Sequence, residues 1–472
     1  MNEILKIAWR NLWRNKRRTI ITASSIFFAL FFAISMRSFQ LGTYDHMIRQ
    51  AIESFSGYLQ VQDTEYADDP SIDNAFSASP TLLASLRTNP NVAVVVPRVE
   101  SFALASTGTL SKGVLVAGID PEQEKALSNP ALKLVRYRLS PASLKTIRTL
   151  PNVSTSLIDL LESMKGASFT SKETLQADLS LKVADSVLLN NLCRVCAVPG
   201  SYLKTSDQGV LLSDRLSNYL HIDVGDTVVL MGQGYHGTSA AGTYPVRGIV
   251  KMPAPELDNK LIYMSLDQAS AFFGLDGRLT SIAINLRNTD RMKETQAELN
   301  RLLEKEKTVV VKNWEEINPT LKQQIQGDNK SGVIFLFVLY VIIFFGIFGT
   351  VQMMLSERQR EFGMMVSIGM KRGKLATILT AEMIFIGLIG SLTGMLATVP
   401  LIILGYLYPV KLTGEMARIY MDYGFDPIMP MAWFDSYFYL QGGIIFFMVL
   451  LASYLPVLSI LKLDPIKALH GQ

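Results

Sequence analysis

The chain carries four long apolar runs that are unevenly spaced. The first covers residues 19–36 and is followed by a long stretch of ordinary polar composition, whereas the other three lie close together at 333–355, 384–407 and 437–461. Each has the roughly 18 or more apolar residues that a helix needs to cross a bilayer. The pattern predicts an α-helical membrane domain of four transmembrane helices. Because the first run exceeds the roughly 7–15 residues of a signal-peptide core, we expect a retained helix.

The polar stretch predicts a large α/β domain inserted between the first and second transmembrane helices. Helical composition at 291–307 and a capping box of Ser265 with Gln268 indicate helices between the strands. Helical spacing near 130–192 predicts an inserted second lobe. β-branched and alternating runs indicate strands at 57–62, 92–96, 114–119, 227–230, 246–250, 261–263 and 280–286.

These elements divide the chain into successive segments. We predict an amphipathic elbow helix at 1–18, transmembrane helices at 19–41, 331–355, 376–408 and 436–461, the α/β domain at 42–330 with its lobe near 130–200, loops at 356–375 and 409–435, and a tail at 462–472. In the elbow helix an apolar stripe faces away from the cations Lys6, Arg10, Arg14 and Arg17, which predicts a helix in the lipid headgroup zone. The stripe consists of Leu5, Ala8, Trp9, Leu12 and Trp13.

The distribution of Lys and Arg predicts the orientation in the membrane. The loop between the third and fourth helices holds only Lys411 and Arg418, whereas the N-terminal segment and the loop after the second helix are rich in cations. Those cations are Lys6, Arg10, Arg14, Lys16, Arg17, Arg18, Arg358, Arg360, Lys371, Arg372 and Lys374. By the positive-inside rule both termini and the 356–375 loop are cytoplasmic, and the α/β domain lies outside the membrane.

Motifs of catalysis and cofactor binding are missing from the sequence. It contains no G-x-x-x-x-G-K-[ST], G-x-S-x-G or H-E-x-x-H pattern, so we expect neither an enzyme nor a chain that binds its own cofactor. Cys193 and Cys196 form one C-x-x-C without a second pair, which favours a local disulfide over a zinc site. The net charge of +4 follows from the cation-rich segments and gives no reason to expect nucleic acid.

Two further patterns concern the membrane helices. Residues 356–370 have the length of a short amphipathic helix, with Phe362, Met365 and Ile368 on its apolar face, and such a helix in a loop suits a groove in a partner. The alternative is a helix lying on the membrane surface. Gly390 and Gly394 form a G-x-x-x-G, which predicts close helix packing.

Several of these segments resemble the MacB/FtsX-type (type VII) ABC transporter permeases. The similarity lies in 8–12 (AWRNL) with 15–19 (NKRRT), in the segment 357–369, which resembles their coupling helix, and in the ending YLP at 454–456 with LDPIKAL at 463–469. In the third transmembrane helix it includes Glu382, Gly387, Gly390 and Gly394. The resemblance implies a MacB-like periplasmic core domain and a location in the bacterial inner membrane.

The external domain looks most similar to the lipoprotein-releasing subunits LolC and LolE, through GIDP at 118–121, VGD at 224–226 and ELD at 256–258. Two departures stand beside this likeness. The lobe between residues 120 and 211 is longer than in those subunits, and the loop 233–242 lacks the proline of the LolC hook that binds a periplasmic carrier.

The resemblance implies a permease that works with two copies of a separate ATPase, which bind ATP and Mg, and with a second permease, identical or paralogous. It places the contact with the ATPase at Glu357, Arg358, Arg360, Glu361, Phe362, Gly363, Met365, Ile368 and Gly369. Lipoprotein extraction would require an apolar lateral cavity, for which we predict Phe28, Phe31, Phe32, Phe337 and Phe344. A lipoprotein and a periplasmic carrier are then further partners. The alternatives are MacB-like efflux of peptides or amphiphiles and FtsX-like signalling to a periplasmic partner.

The predicted orientation can be tested by labelling introduced cysteines. In a background with Cys193 and Cys196 replaced by Ser, we expect Asn218→Cys to react with a membrane-impermeant maleimide in cells whose outer membrane is permeabilised, and Gln359→Cys to stay unlabelled. Reaction at both positions would exclude the four-span arrangement.

Overall fold

The computed structural model describes residues 2–14, 16–66, 69–150, 153–179, 186–304, 306, 308–412, 414–422 and 427–462. Its helices are α1 (Asn2–Arg14), α2 (Lys16–Ala51), α3 (Pro80–Arg87), α4 (Pro121–Leu127), α5 (Pro141–Ile147), α6 (Thr155–Ser163), α7 (Lys172–Asp178), α8 (Ser186–Val195), α9 (Asp214–Leu220), α10 (Pro255–Asp258), α11 (Leu266–Phe273), α12 (Met292–Leu302), α13 (Trp314–Ile317), α14 (Pro319–Glu357), α15 (Gln359–Ser367), α16 (Arg372–Leu407), α17 (Gly414–Asp422) and α18 (Ser436–Leu461). The strands are β1 (Leu59–Asp63), β2 (Val92–Ser106), β3 (Ser111–Ile119), β4 (Tyr137–Arg138), β5 (Ser168–Phe169), β6 (Val210–Ser213), β7 (Thr227–Gln233), β8 (Ser239–Val250), β9 (Leu261–Ser265), β10 (Ser281–Leu286), β11 (Val309–Asn313), β12 (Val410–Lys411) and β13 (Ile428–Met429).

The chain forms two compact units. The helical unit comprises Met1–His46, Lys322–Leu412 and Ile428–Gln472, and the sheet unit comprises Met47–Leu321 and Thr413–Pro427. Four helices in the described residues, α2, α14, α16 and α18, are long and apolar enough to cross a membrane. The predicted fold class is therefore confirmed. The predicted tail lies outside the described residues from 463 onward.

The first two membrane helices extend well beyond their apolar runs. Helix α2 continues to Ala51, and α14 begins at Pro319, a residue favoured in the first turn of a helix. Hydropathy alone could not locate these ends, because the added turns are polar and helical at the same time.

The two glycines of the G-x-x-x-G lie where α16 meets α2. A Cβ added to Gly390 would come within 2.7 Å of the Ile26 Cβ, and one added to Gly394 within 3.0 Å of the Phe27 carbonyl oxygen. Glycine therefore allows the two helices to approach closely at this crossing.

The sheet unit is built on nine strands in the order β11-β1-β10-β2-β3-β9-β6-β8-β7. Strand β2 is long enough to pair with β10 through its first half and with β7 through Leu104 to Ser106, which closes β2, β3, β9, β6, β8 and β7 into a ring. Along β2 the side chains alternate, with Ala103 and Ala105 buried inside and Phe102 and Leu104 exposed outside.

All seven strands indicated by the sequence occur in this sheet, whereas β6 and β11 were not predicted. The short helix after β9 begins as expected, because the Ser265 hydroxyl accepts a hydrogen bond from the Gln268 N–H. The second hydrogen bond of the predicted capping box, from the Ser265 backbone N–H to the Gln268 side chain, was wrong. The Gln268 amide donates instead to the Gln208 carbonyl at 2.6 Å, because tertiary contact brings that carbonyl within reach.

The stretch between β3 and β6 contains a small lobe with its own apolar core, which includes Leu139, Leu161 and Leu192. Cys193 and Cys196 are free thiols there, so the local disulfide expected from the sequence is not formed. Cys196 is buried in the lobe core, where burial raises its pKa to about 11, and the Cys193 thiol forms a hydrogen bond with Tyr137. The two sulfur atoms thus lie in different surroundings.

One side chain of the lobe holds it against α9 and the segment that follows α9. The Arg138 guanidinium is almost fully buried and binds the carboxylates of Asp214 at 2.5 Å and Asp223 at 3.0 Å. It also donates to the Ser168 and Ser217 hydroxyls. Because a buried guanidinium needs its hydrogen bonds satisfied, this cluster fixes the position of β4.

A second buried arginine stands in the middle of the sheet. Arg98 on β2 binds Glu124 on α4 through two hydrogen bonds of 2.5 and 3.1 Å, and its guanidinium lies 4.6 Å from the centre of the Phe55 ring. Neither Arg98 nor Glu124 is exposed to solvent. Removing one partner of such a pair is costly because the other charge remains buried and uncompensated.

We expect Glu124→Gln to destabilise the sheet unit by about 3 kcal/mol, which lowers its unfolding temperature by about 10 °C, because Arg98 loses its two-bonded carboxylate and keeps only Glu100, at 3.3 Å. Thermal unfolding of the full chain in detergent measures this change. Glu122→Gln on the same helix is the matched control: Glu122 pairs with Lys125 at the exposed surface, where we expect a change of about 0.5 kcal/mol or less. Equal effects of the two variants would contradict the assigned role of the buried pair.

Candidate functional site

The loop between the second and third membrane helices contains the short helix α15, which has nine residues. It ends just before Gly369, whose φ of 102° lies in the left-handed region that favours glycine. The Met370 N–H then donates to the Met365 carbonyl at 3.0 Å, which satisfies the last turn. A short helix with a fixed end is thus present where the sequence predicts one.

An ionic network of Asn11, Arg14, Arg358, Glu361 and Glu382 joins this helix to two others. Arg358, the residue just before α15, is 5% exposed and donates to the Glu382 carboxylate on α16 at 2.8 Å. Its Nε lies 3.4 Å from Glu361, and its guanidinium lies 5.0 Å from the centre of the Phe362 ring. The base of α15 is therefore fixed to the third membrane helix by a buried ion pair.

Helix α1 contributes the rest of the ionic network. The Asn11 amide donates to the other Glu382 oxygen at 2.7 Å, and the Arg14 guanidinium donates to Glu361 at 2.8 Å. Glu382 thus receives hydrogen bonds from two different segments, as a carboxylate inside a membrane helix requires. These residues belong to three separate sequence patterns, and the fold brings them together.

Helix α15 presents a different face from the predicted one. Phe362 and Gly363 are buried and Met365 is half-buried, but Ile368 is 81% exposed. The expectation that Ile368 shares the face of Phe362 was wrong, because the helix ends at Ser367 and the chain turns there. The exposed residues of the loop include Glu357, Arg360, Glu361, Met364, Ile368 and Gly369.

The apolar stripe of α1 is divided between two environments. Ala8 and Leu12 are buried, and Ala8 packs with Ile378 and Ala381 of α16, whereas Trp9 and Trp13 are exposed. The prediction that the whole stripe faces lipid is corrected by this packing. Proximity to α16 could not be inferred from the helical spacing of α1 alone.

The phenylalanines predicted to line a cavity lie along α2 and α14. Phe28, Phe32 and Phe337 are exposed, and Phe31 and Phe344 are half-buried. Stacking occurs along a single helix, as between Phe28 and Phe32 at 6.2 Å. The single chain presents apolar rings outward from both helices, and their enclosure in a cavity remains a prediction.

A polar clasp connects α2 and α14 near the polar ends of their apolar runs. Arg37 donates to Asn329 at 2.8 Å, and the Tyr44 hydroxyl donates to the Asp328 carboxylate at 2.5 Å. Gln40 donates to the Asp328 carbonyl, and a Cβ on Gly332 would lie 1.9 Å from the Gln40 amide nitrogen. The clasp, formed by Arg37, Gln40, Tyr44, Asp328 and Asn329, therefore requires glycine on the facing side of α14.

Two family models match the chain. The FtsX-like permease C-terminal model covers residues 333–465, and the MacB-like periplasmic core domain model covers residues 189–302. The first contains α15, α16 and most of the ionic network.

Individual relatives are distant. An uncharacterised ABC transporter permease of Methanocaldococcus jannaschii is 25% identical over 53% of this chain and 58% of its own length. The lipoprotein-releasing system transmembrane protein LolC of Xylella fastidiosa, strain Temecula1, is 23% identical over 42% of this chain and 49% of its own length. The chain thus spans about half the length of the curated relatives that it matches.

Among solved structures, the periplasmic region of MacB from Actinobacillus actinomycetemcomitans is 14% identical to this chain, and the match covers 59% of this chain and 95% of that one with a TM-score of 0.31. The family models and the four membrane helices suffice for the assignment. The chain is a multi-pass membrane protein of the MacB/FtsX-type (type VII) family of ABC transporter permeases, which lack ATPase motifs of their own.

Proposed function

We propose that this permease converts the ATP-driven movement of a separate ATPase into movement of its sheet unit, and that it thereby releases lipoproteins from the bacterial inner membrane. The observation that carries the proposal is the ionic network, which fixes α15 to α1 and α16 through Arg358 and Glu382. A partner that moves α15 moves two other helices with it, because the buried ion pair resists separation.

The contact with the ATPase is proposed at the exposed part of the α15 loop, which includes Arg360, Met364 and Ile368. These side chains leave room for a partner groove, while Arg358 and Phe362 anchor the helix from below. Two ATPase subunits would bind ATP and Mg, and two permease chains would each insert one such helix. In the orientation predicted from the distribution of Lys and Arg, both termini and α15 are cytoplasmic.

Helix α14 provides a route for the movement. It is continuous over 39 residues, about 58 Å at 1.5 Å per residue, and it ends next to Arg358. The polar clasp ties it to α2, so that displacement of one helix displaces the other. We infer that the two helices move as a pair and carry the displacement toward the sheet unit.

The proposed cargo follows from the apolar surface of α14. Only 17% of the apolar 18-residue stretch of α14 is buried within the chain, against 39% of the corresponding stretch in each of the other three membrane helices. Exposed Phe337, Ile342 and Phe345 give this surface the character of hydrocarbon. An acyl chain gains about 0.8 kcal/mol for each CH₂ buried against such a wall. A second permease chain would complete the enclosure.

Efflux of peptides or amphiphiles is the second candidate, and the turn between β7 and β8 favours it. The turn does not extend as a hook: the His236 N–H donates to Asp73 at 2.6 Å, and Arg278 lies 5.1 Å from the centre of the Tyr235 ring. The turn between β7 and β8 therefore offers no projecting loop to a periplasmic carrier. FtsX-like signalling to a periplasmic partner is the third alternative, and it differs from the other two because it moves no substrate.

Coupling can be tested at the exposed part of the ionic network. We expect Glu361→Lys to raise the number of ATP molecules hydrolysed per cargo released by the reconstituted complex roughly tenfold, because the new cation is placed beside Arg14 and Arg358. Glu361 and Arg14 are about half exposed, so that folding should be preserved.

Arg14→Glu combined with Glu361→Lys is the matched control, since it restores one pair of opposite charges. Recovery of at least half the coupling is expected. An unchanged ratio of ATP to cargo in Glu361→Lys would refute the coupling role of the network.

The cargo can be tested by depletion of the protein in cells. Mature lipoproteins destined for the outer membrane should accumulate in the inner membrane, as measured by density fractionation and quantitative mass spectrometry. Correct sorting together with retention of an amphiphile inside the cell would replace lipoprotein release by efflux.

A further inference from the structure

Helix α1 has three faces of different chemistry. At 3.6 residues per turn, Ala8 and Leu12 fall on the side buried against α16. Trp9 and Trp13 fall on the next side, and Lys6 and Arg10 follow on the third side, where both are exposed. Packing against α16 thus uses one third of the surface and leaves an aromatic stripe bordered by cations.

The aromatic stripe has the properties of a membrane interface. The Trp9 and Trp13 rings meet edge to face at 6.0 Å, and Trp9 also meets Phe385 of α16 at 5.5 Å. Further along α16 the apolar side chains of Leu388 and Leu392 are exposed. Tryptophan concentrates at the level of lipid headgroups because its ring is apolar and its N–H is polar.

The cations beside this stripe form no ion pair with the residues that the structure describes. Lys6 and Arg10 are one helical turn apart, and no ion pair of either residue occurs in the described part of the chain. Lys16 and Arg17 at the start of α2 are exposed as well. A phosphate group at headgroup level would meet the ammonium and guanidinium groups together, and the guanidinium can donate two parallel hydrogen bonds to it.

We propose that Lys6 and Arg10 bind the headgroup of an anionic phospholipid, with Trp9 and Trp13 against its glycerol and upper acyl region. The same helix donates to Glu382 through Asn11 and to Glu361 through Arg14. Lipid charge therefore positions α1 and, through it, the ionic network. The lipid site stands by itself, whereas its effect on ATP turnover rests on the proposed coupling function.

Tryptophan fluorescence tests the lipid site directly. The chain has four Trp, so replacing Trp314 and Trp433 by Phe leaves Trp9 and Trp13 as reporters. In nanodiscs of phosphatidylcholine with a minor fraction of brominated lipid, we expect brominated phosphatidylglycerol to quench several times more strongly than brominated phosphatidylcholine. Each cation contributes roughly a fivefold preference for an anionic surface, so Lys6→Gln with Arg10→Gln should abolish the difference.

Two controls separate charge from structure. Lys6→Arg with Arg10→Lys should retain the preference, and Lys204→Gln with Arg301→Gln, two exposed cations of the sheet unit, should leave it unchanged. Equal quenching by the two brominated lipids, or an unaltered preference in Lys6→Gln with Arg10→Gln, overturns the proposal. Displacement of the lipid signal by millimolar inorganic phosphate also overturns it, since the surface would then be a site for free phosphate.

The effect on ATP turnover is measured separately in the complex with its ATPase. We expect phosphatidylglycerol to increase cargo release per ATP in the parent and not in Lys6→Gln with Arg10→Gln. Selective quenching without any response of coupling would retain the lipid site and contradict its effect on the ionic network, whereas the coupling function itself fails only if Glu361→Lys leaves the ratio of ATP to cargo unchanged.

Discussion

The buried ion pair of Arg358 and Glu382 is the constraint on which the helical unit depends. A carboxylate in a membrane helix and a buried guanidinium at the start of a loop are each unfavourable alone. Together, and with Asn11 on the second oxygen, they satisfy one another. The pairing compels α1, α15 and α16 to converge, so that a loop helix of nine residues, too short to be stable in isolation, has a fixed position.

The sheet unit contains two further buried pairs of an arginine with a carboxylate. Arg98 pairs with Glu124 between the sheet and α4, and Arg138 pairs with Asp214 between the lobe and α9. Apolar burial holds the elements together without specifying one arrangement, whereas a buried arginine tolerates only the arrangement that satisfies its donors. Rigid attachment of the lobe and of α4 would suit a domain that has to transmit movement as a body.

Function in this permease would depend on the contrast between fixed and free surfaces. Arg358 and Phe362 are buried, while Met364 and Ile368 in the same loop are exposed. The polar clasp holds α2 to α14, while most of the apolar surface of α14 remains open. The proposed release of an acyl chain, and the proposed control by anionic lipid, both concern these open surfaces. The fixed contacts determine how a change at one of them reaches the other parts.

The sequence by itself determined the four membrane helices, because length and apolarity are local properties that a bilayer selects directly. It also determined seven strands, since alternation and β-branching act over a few residues. Candidate residues such as Glu361, Glu382 and Gly390 were visible individually. Only the tertiary structure decided their partners: Glu382 meets Arg358 across 24 positions and Asn11 across 371. Such pairs depend on where distant segments come together, and no local pattern in a single sequence encodes that.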